Sequence, residues 1–324
     1  DEDAEDDAGP ALVEEEYVRT CHAGAVPPML KLALISLRHS LWGHRLWNAA
    51  LLLAEMADGD EIDIKGKSVL ELGAGAGLPS LICALKGASK VVISDYATST
   101  DNSLMVPIQI NIDRVQPEFV PEGTLHAVGH VWGRAVDDLL APLAPLIDGV
   151  GSDDDGTGRE GPAAMNVAAA SAVVAGNAVC ASLEEAEEGQ REITEGRPQA
   201  VGHDASVAKG RGEGGRGKQM GFDVVIMADL LFNRSQHEQL LDTCDRCLRR
   251  GLGAGTMWVS FSHHDPEKAE LDMKFFALAS EKGFVAERIK AVQMRDLFVE
   301  NDGMDDLRGE VHLWCLKRRK NPPE

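Results

Sequence analysis

Three glycines alternate with alanines in 69-VLELGAGAGLPSL-81, directly after an apolar run. A glycine-rich turn between a strand and a helix can hold a dinucleotide, a nucleoside triphosphate or S-adenosylmethionine, and spacing separates the three. Dinucleotide turns follow G-x-G-x-x-G/A and phosphate loops follow G-x-x-x-x-G-K-S/T. Counted from Gly73 the sixth position is Leu78, and counted from Gly75 it is Ser80. Neither register supplies the third small residue that packs helix against strand in the dinucleotide fold. No lysine follows within the loop, which excludes a phosphate loop. What stands here is Glu71-x-Gly73-x-Gly75-x-Gly77, with Asp95 ending the next apolar run.

The physics of that arrangement suits a phosphate-free ligand. The Gly73–Gly75 backbone has no Cβ to keep the amino-acid part of a cofactor at a distance. Asp95 sits where a carboxylate accepts both ribose hydroxyls in related sheets. A second constellation, 228-ADLLF-232, follows a later apolar run and places Asp229 and Phe232 three residues apart. A carboxylate can hold an amine by hydrogen bonds, and an aromatic ring can wall the path of the group transferred to it. The plainer reading of Asp229 is a cap for the following helix, but Ser235 is expected to fill that role.

Four separated segments, 41-LWGHRLWNA-49, 71-ELGAGAGLPS-80, 129-GHVWG-133 and 227-MADLLFNRSQH-237, together resemble one family. It is the elongation factor 1-alpha N-terminal and lysine methyltransferases, within the seven-strand S-adenosylmethionine-dependent methyltransferases that carry an Asp-x-x-Phe/Tyr motif. The resemblance covers roughly residues 37–135 and 221–317. It implies S-adenosyl-L-methionine as cofactor, lined by Trp42, Glu71, Gly73, Ala74, Gly75, Asp95 and Trp132. Ala228 stands where the family usually has Ser, so only a backbone or packing contact is expected there. The implied catalytic pair is Asp229, holding the amine, and Phe232. The implied acceptors are the N-terminal glycine and adjacent lysine of elongation factor 1-alpha. The competing enzyme reading is a methyltransferase for a small amine such as nicotinamide, or another lysine methyltransferase of the family. A binding module that has lost activity would be expected to lose the glycines or the acids, and both are present.

These residues need a scaffold. Leu30, Leu32 and Leu34 alternate as in a strand, and the second half of 41–57 carries Leu, Ala and Met at helical spacing. Thereafter strands are expected at 67–73, 90–96, 124–133, 221–232, 255–264, 284–292 and 308–318. Helices are expected at 78–87, 101–115, 235–250 and 266–283. Pro79 fits only in the first turn of its helix, and Pro107 must sit early in its helix or kink it. The order predicts an α/β fold: a seven-strand, mostly parallel, Rossmann-like sheet with helices on both faces and an antiparallel C-terminal strand. Trp132 would end a strand on the ligand side, where an indole can stack on adenine. Trp47 is read as a core aromatic. The domain reading is an acidic disordered tail at 1–26, two halves of the catalytic domain at 27–146 and 220–324, and a flexible low-complexity insertion at 147–219.

With 44 % apolar residues a substantial core is available, and a net charge of −21 argues against nucleic acid as partner. No run is long enough to span a membrane. The acidic start is unlike a secretory or transit signal. Six cysteines are too sparse for a disulfide scaffold, so a reduced, cytoplasmic enzyme is expected. Cys244-x-x-Cys247 lacks a second pair and reads as one partly buried helix face, with no metal expected. Asn233, His237, His263 and His264 flank the Asp229 motif or the next strand and are secondary candidates for proton acceptance. The run 317-KRRK-320 reads as a solvated end.

Overall fold

The computed structural model describes residues 10–21, 26–36, 43–144, 220–251, 253–295, 297 and 305–320. The expectations for Trp42 and for 147–219 lie outside the described residues.

The chain begins with a hairpin. Strands β1 (Leu12–Val18) and β2 (Met29–Ile35) pair antiparallel, with Leu12 opposite Ile35 and Val18 opposite Met29. Over residues 10–21 this departs from the expected disordered tail at 1–26; residues 1–9 and 22–25 lie outside the described residues. The acids Glu14, Glu15 and Glu16 sit on exposed positions of β1, while Tyr17 and the following Arg19 are buried. Composition alone hid a strand that is held by its partner and two anchors.

Helix α1 (Asn48–Asp58), strand β3 (Ser68–Leu72), helix α2 (Leu78–Leu85), strand β4 (Lys90–Asp95), helix α3 (Met105–Asp113) and strand β5 (Leu125–Gly129) follow in alternation. After the short α4 (Asp137–Leu140) come β6 (Val224–Ala228), α5 (His237–Cys247), β7 (Thr256–Phe261), α6 (Ala269–Glu281), β8 (Phe284–Gln293), α7 (Asp305–Gly309) and β9 (Glu310–Arg318). Pro107 lies in the first turn of α3, where its missing N–H is harmless.

The main sheet has seven strands in the order β5-β4-β3-β6-β7-β9-β8. The strands β3 to β7 run parallel, and β9 runs antiparallel to both β7 and β8. The fold expectation holds in full. Strand β3 is buried at every residue, as a strand covered on both faces must be. Its side chains alternate: Val69 joins a core with α1, α2 and α3, while Leu70 and Leu72 join one with α5 and α6. Four fully buried phenylalanines, Phe222, Phe261, Phe275 and Phe284, anchor the second core, each worth about 2–3 kcal/mol of transfer free energy. Chain order reverses between β3 and β6, and ligands bind outside the carboxyl ends of strands at such a switch point. The glycine loop leaves β3 there, and Asp229 leaves β6 beside it.

Candidate active site

Gly73, Gly75 and Gly77 all adopt left-handed backbone, with φ of +60°, +55° and +73°. Only glycine takes three such positions without strain. A Cβ on Gly73 would stand 2.6 Å from Leu230 Cδ2 and 3.2 Å from Trp132 Cζ2, so the loop is packed there. A Cβ on Gly75 would meet nothing within 4 Å, so the backbone faces open space. Asp95 ties the loop to β4: its Oδ2 accepts the Gly75 N–H at 2.7 Å and its Oδ1 accepts the Tyr96 N–H at 2.6 Å. An open glycine, a strand-end carboxylate and a half-buried indole share one rim, and this cradle fits S-adenosylmethionine. Ala74 is buried, with its N–H on the Ser94 carbonyl at 3.1 Å.

Glu71 does not line that rim, against expectation. It is fully buried, and its Oε2 accepts the Ser80 N–H at 3.0 Å. Ser80 lies in the first turn of α2, whose leading N–H groups have no partner within the helix. Burial pushes the Glu71 carboxyl up to about 8; the Ser80 bonds oppose this and the Asp95 charge adds to it. Its place is beneath the loop, fixing the start of α2.

At the end of β6 the chain turns sharply. Asp229 has φ +59°, a left-handed conformation unusual for a residue with a side chain. Its N–H donates to the Ser260 carbonyl at 2.7 Å. Its Oδ1 accepts the Ser262 N–H at 3.2 Å, and its Oδ2 lies 2.9 Å from His264 Nε2. The His264 ring is stacked between Phe232, at 4.8 Å and 9°, and Trp47, at 4.9 Å and 25°. Asp229 therefore does not cap α5, whose start is preceded by a single 3-10 turn over Arg234–Gln236. Ser235 does not cap it either, because its hydroxyl donates to Asn233 Oδ1 at 3.2 Å. Trp47 is half-buried and belongs to this stack, not to the apolar interior expected for it.

The sequence of residues 32–142 matches the model of a family described as lysine methyltransferase. Protein N-terminal and lysine N-methyltransferase EFM7 of Debaryomyces hansenii is 30 % identical over 292 residues, 90 % of this chain and 84 % of that one. The EFM7 protein of Gibberella zeae is 31 % identical over 266 residues, 81 % of this chain and 73 % of its own. That of Schizosaccharomyces pombe is 27 % identical, covering 88 % and 81 %. The chain belongs to the EFM7 family of N-methyltransferases.

As a member of the EFM7 family it is an S-adenosylmethionine-dependent methyltransferase. The cofactor, when bound, supplies an electrophilic methyl carbon. The chain must strip water from an amine, orient its lone pair and accept its proton. Gly73, Ala74 and Gly75 follow β3, Asp95 ends β4 beside them, and Trp132 packs against the Gly73 position. Ala228 is buried at the end of β6, opposite Ser260 in the β6–β7 pairing. Asp229 and Phe232 lie beyond it, where the polar and aromatic groups of the site meet.

The secondary candidates divide. His264 joins the site. His263 turns the other way, with Nδ1 2.8 Å from Asp272 Oδ2, and Asp272 also accepts Arg234 Nε at 2.7 Å. His237 is buried with Nε2 2.8 Å from the Leu231 carbonyl, and burial lowers its pKa. Cys244 and Cys247 are buried free thiols. No group of three or more His, Cys, Asp or Glu side chains that could hold a metal occurs among the described residues. The residues that sequence reasoning missed as a unit are Trp47, Ser262 and His264. Adjacent histidines after a strand were visible, but which one turns into the site depends on the register of β7.

Proposed function

We propose that this enzyme methylates the α-amine of the N-terminal glycine and the adjacent lysine of translation elongation factor 1-alpha, in the cytoplasm. The relatives at 30–31 % identity over most of the chain are named for protein N-terminal and lysine acceptors, and this observation carries the reading. The site chemistry agrees with an amine acceptor: the Asp229 carboxylate stands against an aromatic wall at the carboxyl end of β6. A free α-amine has a pKa of about 7.7–8, so much of it is neutral at cellular pH, whereas lysine at about 10.4 needs more help to lose its proton. The net charge of −21 disfavours a nucleic-acid acceptor and suits a basic protein. No described helix is long and apolar enough to cross a membrane.

The test is isotope-labelled methyl transfer to elongation factor 1-alpha bearing a free N-terminal glycine, with the label placed by mass spectrometry of the N-terminal peptide. Label on the glycine amine or the neighbouring lysine is expected. Label on nicotinamide and none on the protein would replace this acceptor by a small amine. The division of labour is checked by calorimetry: Asp95→Ala abolishes S-adenosylmethionine binding, while Asp229→Ala keeps binding and loses transfer. Equal loss of binding in both variants would overturn it.

A further inference from the structure

The Asp-x-x-Phe motif is completed from outside itself. Asp229 is only 4 % exposed, and both of its carboxylate oxygens contact groups that follow β7: the Ser262 N–H and the His264 ring. A carboxylate oxygen accepts two hydrogen bonds, so each retains capacity for an amine, but its direction is set by those two donors. His264 also separates Phe232 from Trp47 by filling the space between the rings. Its own backbone is pinned, because the buried Arg308 donates from Nε to the His264 carbonyl at 3.2 Å. Next to it, the His263–Asp272 contact fastens the same loop to α6.

We propose that His264 is the positioning residue of the transfer site. Through Nε2 it aims the Asp229 carboxylate, and through its ring faces it sets Phe232 and Trp47 as the wall against which the acceptor amine is held. The motif before α5 thus acts only with the 262-SHHD-265 turn after β7. This rests on the methyltransferase reading, since it assigns how the same site orients its acceptor. Positions held within about 0.5 Å separate productive from unproductive sites, and such control comes from supporting contacts of this kind.

Three variants separate the two contacts. His264→Gln retains an N–H near the Nε2 position and loses the stack; His264→Phe retains the stack and loses the donor; His264→Ala loses both. Expected are S-adenosylmethionine Kd values within about threefold of wild type in all three by calorimetry, as binding lies on the β3–β4 side. With an N-terminal peptide acceptor, kcat/KM is expected to fall at least about 30-fold in His264→Ala, carried mainly by kcat, with partial rescue in Gln and in Phe. In the cofactor-free wild type, imidazole NMR spectra are expected to show a slowly exchanging His264 Nε2 proton that is lost in Asp229→Ala. A wild-type kcat in His264→Ala, or no Asp229-dependent His264 Nε2 proton in the wild-type spectrum, would overturn the proposal. So would a fall in kcat/KM that tracks Tm and cofactor Kd alike, which marks a merely structural residue. A wild-type enzyme inactive on the peptide but showing the Asp229-dependent proton would fault the acceptor reading and leave the Asp229–His264 pairing standing.

Discussion

Gly73 and Gly75 share a left-handed backbone but face different neighbours, and this separates folding from binding in the same loop. An alanine in that conformation costs about 1–2 kcal/mol at either position. At Gly75 nothing lies within 4 Å of the new carbon, so the cost ends there for the fold and the methyl group intrudes on the cofactor cradle. Gly75→Ala is expected to keep a cooperative unfolding transition within about 2 kcal/mol of wild type, while its S-adenosylmethionine Kd rises tenfold or more (about 1.4 kcal/mol). At Gly73 the added carbon meets Leu230 Cδ2 at 2.6 Å and presses on Trp132. Gly73→Ala is therefore expected to lose both binding and more stability than Gly75→Ala. Denaturant titration and calorimetry on the two variants check the contrast, and equal stabilities would remove the packing distinction. The glycine pattern was legible from the sequence because only a turn of this kind requires it. The role of Glu71 was not: motif position says nothing of whether a side chain faces a ligand or the helix beneath it.

Among the elements, the parallel strands were read well because a strand covered on both faces is apolar throughout, as 68-SVLEL-72 nearly is. The hairpin partner β1 was missed because its acids dominate the composition, while its anchor is a long-range pair. Asp58 ends α1, where a negative charge opposes the helix dipole. Arg19 offsets it: its Nη2 lies 2.5 Å from Asp58 Oδ1, and both side chains are almost fully buried. The Cys21 N–H also donates to Asp58 Oδ2, at 3.1 Å. No sequence pattern links residues 39 positions apart. Asp58→Ala leaves the buried guanidinium and the Cys21 N–H without their acceptor, and is expected to cost about 3–5 kcal/mol. The double variant Arg19→Met with Asp58→Leu is expected to recover most of that loss, since a well-packed apolar pair often replaces a buried ion pair without penalty. Urea unfolding of both measures the difference. A double variant no more stable than Asp58→Ala would mean that the pair specifies the docking of the hairpin.

For the molecule as a whole, stability depends on pH through groups buried in opposite senses. His130, His237 and His312 have pKa values lowered mainly by desolvation. Their contribution is present above the unfolded value near 6.5 and is lost as pH falls, because the unfolded chain binds their protons first. Glu71 works the other way. Its folded pKa, raised from 4.5 to about 8 by burial, gives a contribution fully present below 4.5 and lost as pH rises through about 8. The span corresponds to at most about 5 kcal/mol. The acid and alkaline slopes overlap in wild type, so a single curve does not separate them. Glu71→Gln does, because the amide keeps a carbonyl for the Ser80 N–H, never ionises and leaves the three histidines unchanged. The stability of Glu71→Gln minus that of wild type is expected to be smallest near pH 4.5 and to grow steadily to about pH 8, then level off. Denaturant titrations across that range measure it. Because Glu71 fixes the first turn of α2 beneath the glycine loop, the S-adenosylmethionine affinity of wild type is expected to hold level up to near pH 8 and to weaken only as pH rises through about 8, where the folded Glu71 carboxyl ionises, while that of Glu71→Gln stays level. A flat stability difference would show that the Glu71 carboxylate is already charged in the folded protein at neutral pH, and that the loop above it tolerates a buried charge.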